Sequence, residues 1–284
     1  MLRGLLPLFV SFACLASAAD IPRAEALYHK TEYEAALKLV KDAPATDAPA
    51  QYLAGRSLFM MGEFKKASDA LEKAVAGQPN SSDYALWLGR AYGRRAETAS
   101  PFTAPGLAVK ARTSLEKAVA LDGKNLEAVN DLLEYYLQAP GFLGGGMEKA
   151  SNLVTNIGRV DPVEVHYALA RIAERKKEFN QAEAQLRRAA ELAPHQVSRM
   201  VDLAKFLSKQ GKVDESEAAF LQAEKVAPNS PKVLFARAST YVASGRNLDA
   251  AKQMLERYMK SSNLTPEDPS REEAQKLLNK AAGR

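Results

Sequence analysis

"KEFNQAEAQLRRAAELAP" occupies residues 177–194, and "GKVDESEAAFLQAEKVAP" occupies residues 211–228. The two stretches carry matching residue types 34 positions apart: Ala182 and Ser216, Leu186 and Phe220, Ala189 and Ala223, Pro194 and Pro228. A third copy, "GEFKKASDALEKAVAGQP", runs from 62 to 79. Within each copy a small residue, a bulky one four later and a small one three after that share one face of a helix. The proline stops that helix, because it cannot donate the next backbone hydrogen bond. A fixed period of this length indicates stacked supersecondary units rather than one central core.

Working outward, the segment before each copy has its own anchors: an apolar residue, a small one, and a large apolar one three further on. These are Ala54-Gly55 with Leu58, Leu88-Gly89 with Tyr92, and Leu203-Ala204 with Leu207; Arg237-Ala238 with Tyr241 lacks the apolar partner. The second-helix anchors recur as Ala67, Leu71 and Ala74, then as Ala111, Leu115 and Ala118. Ala250 and Met254 fit as well, but Arg257 breaks the pattern. Proline closes the unit at 79, 162, 194 and 228, and Gly123 takes that place once.

On these residues the chain resembles the tetratricopeptide repeat family. The resemblance implies an all-α fold, an α-solenoid of helix-turn-helix hairpins wound into a right-handed superhelix with a concave groove. It also implies a protein-binding function. The small residues allow the two helices of a hairpin to approach closely, and the bulky ones fill the space between hairpins. A single hairpin cannot bury its apolar face, so neighbours stack. The chain divides into a partial hairpin at 20–47, about six repeats over 48–262, and a C-terminal capping helix within 263–284. Ser270 and Glu273 form a capping box at the start of that helix.

The first nineteen residues, within "MLRGLLPLFVSFACLASAAD", read as a signal peptide: Arg3, an apolar run from Gly4 to Leu15, and Ala16-Ser17-Ala18 as the small-x-small cleavage site. Ser11-Phe12-Ala13 before Cys14 lacks the leucine and small residue that a lipidation site wants, so plain export to the periplasm is expected over a lipid anchor. Cys14 is the only cysteine, and a mature chain without it has no disulfide, thiolate metal site or thiol catalysis. No second apolar run of spanning length follows. The net charge of +5 is far from the clustered basic character of a nucleic-acid binder.

Two repeats are longer than the period. "AETASPFTAPG" (96–106) separates the helices of the second, with the insertion at 97–106, and "APGFLGGG" (139–146) separates those of the third, with the insertion at 140–146. Both fall at the same place in adjacent repeats and are expected to project side by side, with Phe102, Phe142 and Leu143 as candidate contacts. Phe142 and Leu143, between proline and glycine, suggest a loop that tucks its apolar side chains back onto the hairpin. The glycines do not form a phosphate loop, because Met147 stands where lysine is required and a helix precedes them instead of a strand.

The histidines His29, His166 and His195 lie in different hairpins without a metal-ligand spacing, and no serine has a nucleophile-elbow context. No catalytic, cofactor or metal residue is assigned. Charge on the expected concave face does stand out. In the resembled family that face is lined by the first helix of each repeat, just after its small residue. Here that place holds Arg56, Arg90, Glu134, Arg171, Lys205 and Ser239, and one turn on Met60, Arg94, Gln138, Arg175, Lys209 and Ala243. Seven of these twelve are basic, against about two expected from the composition, so a groove selective for an acidic segment is expected. Tyr52, Phe59, Tyr167 and Phe235 are candidate aromatic anchors. The expectation is therefore an exported, non-enzymatic scaffold or adaptor. The alternatives are a small-ligand or enzymatic accessory protein using the enlarged loops, and a self-assembling structural subunit.

Overall fold

Helix pairs follow one another along the whole described chain, which in this computed structural model comprises residues 20–157 and 161–283. The predicted leader at 1–19 lies outside the described residues. A short pair, α1 (Ile21–His29) and α2 (Tyr33–Val40), comes first. Six full pairs follow: α3 (Ala48–Met60) with α4 (Phe64–Gly77), α5 (Ser82–Thr98) with α6 (Ala104–Leu121), and α7 (Leu126–Gln138) with α8 (Met147–Ile157). Then come α9 (Pro162–Lys176) with α10 (Phe179–Leu192), α11 (Val197–Lys209) with α12 (Val213–Val226), and α13 (Pro231–Ser244) with α14 (Leu248–Met259). The last helix, α15 (Arg271–Ala281), packs on α14 and α13. No strand occurs among the described residues, and none of their helices is long and apolar enough to cross a membrane.

The helix starts are written locally. Asp20, Asp47, Ser81, Asn125 and Asp161 each accept a backbone N–H of the helix they precede, satisfying donors that have no partner within the helix. Ser270 and Glu273 form the expected capping box. Pro162 sits in the first turn of α9 rather than closing the helix before it, a position where its missing N–H costs nothing.

Inside each pair the sequence anchors meet. Ala67, Ala74, Ala118, Ala150, Ala182, Ala189 and Ala223 are fully buried, as are Leu71 and Phe220. A Cβ placed on Gly55 would lie 2.5 Å from Leu71 Cγ, and one on Gly89 would lie 2.9 Å from Leu115 Cδ2. These two pairs, α3 with α4 and α5 with α6, thus pack at a separation that only a residue without a side chain permits. Core clusters follow one after another along the stack, each joining the helices of neighbouring pairs.

The enlarged second repeat differs from its sequence reading. Half of 97–106 is helical: α5 continues to Thr98 and α6 already begins at Ala104, leaving a five-residue link at 99–103. Pro105 lies in the first turn of α6, so it starts the helix instead of breaking a loop. The insertion is therefore spent on a longer hairpin. In the third repeat the link stays irregular, with a 3-10 turn at Gly141–Leu143. Its glycine amides are consumed internally: Gly144 donates to Gly141 O, Gly145 to Pro140 O and Gly146 to Tyr136 O. Gly144 has φ +85°, and an added Cβ there would overlap the Arg112 guanidinium that reaches from α6. Leu143 is half-buried, but Phe142 is 81% exposed, so it does not tuck back as expected; Phe102 is 96% exposed.

Gly55→Val should destabilise the fold by about 1–3 kcal/mol, because the new side chain must displace Leu71. Gly93→Ala, a mid-helix position in α5 with open space around the added Cβ, should instead stabilise by about 0.5–1 kcal/mol. Urea unfolding followed by circular dichroism checks both signs. Equal shifts in the same direction would refute the close-approach account.

Candidate functional groove

The first helices of successive pairs, α3, α5, α7, α9, α11 and α13, contact one another in sequence, and their shared face carries the candidate site. Its main feature is a cavity of about 600 Å³ lined by Phe59 and Met60 from α3, Trp87, Arg90 and Arg94 from α5, and Asp131, Glu134 and Tyr135 from α7. Phe59 meets the Trp87 indole edge-on at 5.3 Å. The Arg90 guanidinium lies 5.0 Å from the same ring, and that of Arg56 lies 5.1 Å from it. Arg56 is also 4.1 Å from the Tyr28 ring and 5.2 Å from Tyr52, so three aromatic rings surround it.

Of the seven basic residues expected to line the groove, Arg56 is enclosed by aromatic rings and the other six divide into two groups. Arg90 Nε donates to Asp131 at 2.5 Å, and Arg90 Nη1 reaches Glu127 at 2.9 Å. Arg171 donates to both carboxylate oxygens of Glu134 at 2.6 and 3.1 Å and to Glu174 at 2.7 Å. Arg94 pairs with Glu97 at 2.7 Å. All three are met by the protein's own carboxylates, Arg90 and Arg171 in partly buried pairs and Arg94 in an exposed one. Arg175, Lys205 and Lys209 are exposed and make no ion pair among the described residues. Lys205 and Lys209 border a smaller cavity of about 390 Å³ with Ser208, Ser239 and Thr240. Arg56 apart, the groove's cations are thus paired toward its N-terminal half and unpaired among the described residues toward its C-terminal half.

Only one of the four predicted aromatic anchors lines the main cavity. Tyr52 stacks on Tyr84 at 4.2 Å, and the Tyr167 ring is covered by Arg199 at 4.2 Å. Phe235 packs on Tyr258 at 5.3 Å, within the core that α14 shares with α13 and α15. Phe59 does face the cavity, joined by Trp87 and Tyr135, which the sequence reading passed over. Leu143 contributes through its backbone: its carbonyl accepts from Arg112 Nη1 at 3.1 Å and from the Tyr135 hydroxyl at 3.0 Å.

A deeper polar link ties α7, α9 and α11 together. Arg199 donates to Glu164 at 2.5 Å and to Asp202 at 2.9 Å, and Asn130 donates to the second oxygen of Glu164 at 3.1 Å. Glu164 is only 5% exposed and Arg199 only 9%. These pairs span 35 residues for Arg199–Glu164, 37 for Arg171–Glu134 and 41 for Arg90–Asp131. Each is one repeat plus an offset of up to two helical turns, the spacing that would have located the carboxylates in the sequence.

The electrostatics follow from the pairing. Burial pushes the Asp131 carboxyl up, and Arg90 offsets this only in part. For Glu134 burial also acts upward, but the hydrogen bonds and charge of Arg171 outweigh it and hold the carboxyl below its ordinary 4.5. A depressed folded value means that the pair stabilises the protein above pH 4.5 and that this contribution is lost as the pH falls through the folded value. Arg171→Met should therefore cost about 1–3 kcal/mol near neutral pH, and the gap to the unsubstituted chain should shrink below pH 4.5; a gap unchanged down to about pH 3 would contradict the pairing. Arg199→Met, which strands a buried carboxylate, should cost about 3–5 kcal/mol. Adding Glu164→Gln should recover part of that loss. Urea unfolding at several pH values measures all three.

Residues 52–99 and 173–239 match family profiles described as tetratricopeptide repeat. No curated protein matches the chain in sequence. Among solved structures, a thermophilic tetratricopeptide repeat protein of Thermus thermophilus is 24% identical, with a TM-score of 0.53 over 66% of this chain and 96% of that one. A tetratricopeptide repeat protein of Parabacteroides merdae is 12% identical, with a TM-score of 0.56 over 92% and 97%. An assembly chaperone of RpL4 is 16% identical, with a TM-score of 0.51 over 79% and 95%. At these identities the likeness speaks for the fold. With six stacked helix pairs and two matched segments that fall on them, the chain belongs to the tetratricopeptide repeat family.

Proposed function

We propose that the protein is an exported, non-enzymatic scaffold of the periplasm, which holds a segment of a partner protein in its concave groove. The observation that carries this reading is the cavity between α3, α5 and α7, where Phe59, Trp87 and Tyr135 stand among charged groups. Aromatic side chains bordered by charge are the composition of protein-binding hot spots. The free cations favour an acidic stretch of the partner over the C-terminal half of the groove, where Arg175, Lys205 and Lys209 have no competing carboxylate in contact among the described residues. Phe102 and Phe142, held out in solvent at the turns of adjacent repeats, offer contacts outside the groove. The export half of the proposal rests on the sequence of residues 1–19.

Replacing Arg175, Lys205 and Lys209 together by glutamate should abolish capture of an acidic partner from envelope extract while leaving the thermal melt in place. An unchanged set of captured proteins would overturn the groove assignment. Cell fractionation of the full chain should find it in the periplasm, and removal of residues 1–19 should retain it in the cytoplasm. Identical distributions would refute export through this leader.

A further inference from the structure

The groove has an occupant at its edge that belongs to the protein itself. Between α14 and α15 the chain runs "SSNLTPEDPS", residues 261–270. Pro266 and Glu267 from this run line the same cavity as Phe59, Trp87 and Arg90. Asp268 and Ser270 line the adjoining cavity with Phe59, Met61 and Arg94. The end of the solenoid thus returns to its beginning. Arg271 completes the closure: it donates to Met259 O at 3.1 Å and Ser261 O at 2.9 Å on its own side, and to Thr31 Oγ1 at 3.4 Å on the first hairpin.

Two halves of this contact differ in strength. On the α14 side the segment is held firmly, with Leu264 buried in the core that contains Tyr258 and the Tyr258 hydroxyl donating to Pro269 O, while Thr265 donates from its amide and hydroxyl to Asp268 within the segment itself. On the N-terminal side the only recorded hydrogen bond among the described residues is the exposed one from Arg271 to Thr31. Exposed contacts of this kind contribute little, and leaving the groove exposes Pro266 rather than a core cluster.

Charge supplies the reason for its position. Arg56 makes no ion pair among the described residues, and its buried Nε has no hydrogen-bond partner there. Glu267 is exposed and likewise unpaired among the described residues. The two opposite charges act on the same buried phenol, that of Tyr28: burial pushes it up, Arg56 pulls it down, and Glu267 adds a smaller upward push. A guanidinium without a carboxylate partner and a carboxylate without a cation are therefore gathered about Trp87, the first 5.1 Å from its ring and the second on the cavity that the indole lines.

We propose that residues 264–270 form a strap across the groove mouth, and that Glu267 stands in for a carboxylate of the partner, which must displace it to reach Arg56. This rests on the groove reading above and adds a regulatory step to it. A strap closed most of the time raises the apparent dissociation constant by the reciprocal of its open fraction, so one open about a tenth of the time weakens binding about tenfold.

Trp87 is the only tryptophan of the chain and lines the cavity, so its emission reports on occupancy. The probe is the strap itself as a free peptide, acetyl-LTPEDPS-amide, with acetyl-LTPQNPS-amide as the neutral control. The double variant Glu267→Gln, Arg271→Ala should bind the acidic peptide about tenfold more tightly than the unsubstituted chain. The neutral peptide should give no saturable change, and adding Arg56→Gln should remove binding. Equal affinities with and without the double variant, an equal response to the neutral peptide, or no binding by either protein would each overturn the strap. Should the double variant fail to fold, Thr31→Val removes only the latch acceptor: quenching of Trp87 by acrylamide should rise, and unchanged quenching refutes the proposal. These readouts concern Arg56 and Trp87, whereas partner capture is tested at Arg175, Lys205 and Lys209, so the strap can fail while the groove assignment stands.

Discussion

Everything in this array depends on how closely two helices of one hairpin can approach. At Gly55 and Gly89 the distance is set by leucines from the second helix, which sit where any Cβ would be. That contact fixes the crossing of each pair, and the crossing fixes where the next pair can stack. A solenoid has no central core to absorb an error, because each unit touches only its neighbours. A strained hairpin would be propagated as a misplaced groove wall rather than confined to one site. Ala67, Ala111, Ala182 and Ser216 hold the equivalent second-helix place, each of them small. Ser216 adds a hydrogen bond to Ala204 O at 2.8 Å across its own hairpin.

Polar side chains then join hairpins that apolar packing has already brought together. Arg90, Arg171 and Arg199 each reach from one first helix to another. The buried pair of Arg199 with Glu164 gains little over apolar packing, yet a misaligned hairpin would leave one of its charges stranded. The same economy explains why the groove is less basic than its list of cations suggests: arginines that hold the wall in place cannot also hold a ligand.

The repeat fold was legible in the sequence because its signal is redundant. Leu186 and Phe220 say the same thing 34 residues apart, and a misread anchor in one unit is corrected by the next. The candidate site has no such redundancy. Arg90, Arg94 and Arg171 looked alike in register, yet their pairing depends on carboxylates on neighbouring helices or one turn away along their own, invisible to an inspection of one column. Phe235 faced the groove by periodicity but was drawn to Tyr258 by the closing helices. The 97–106 insertion looked like an extended loop because Pro101 and Pro105, with Ser100 and Thr103, are residues that favour one. Pro105 falls in a first turn, where proline is at home. The return of Pro266 and Glu267 to the first repeats has no sequence signal at all, because it follows from the accumulated curvature of every intervening pair.

That return contact has a consequence for how the chain acquires its shape. Every other side-chain hydrogen bond recorded among the described residues spans 43 positions or fewer, whereas Arg271 to Thr31 spans 240. Structure built from such near neighbours has low contact order and forms quickly, hairpin by hairpin, from any starting point along the chain. Closure of the ends must wait until all the pairs between them are in place. The contact between the first hairpin and the last helix is therefore a report on the whole array, made only by a molecule in which every repeat has formed.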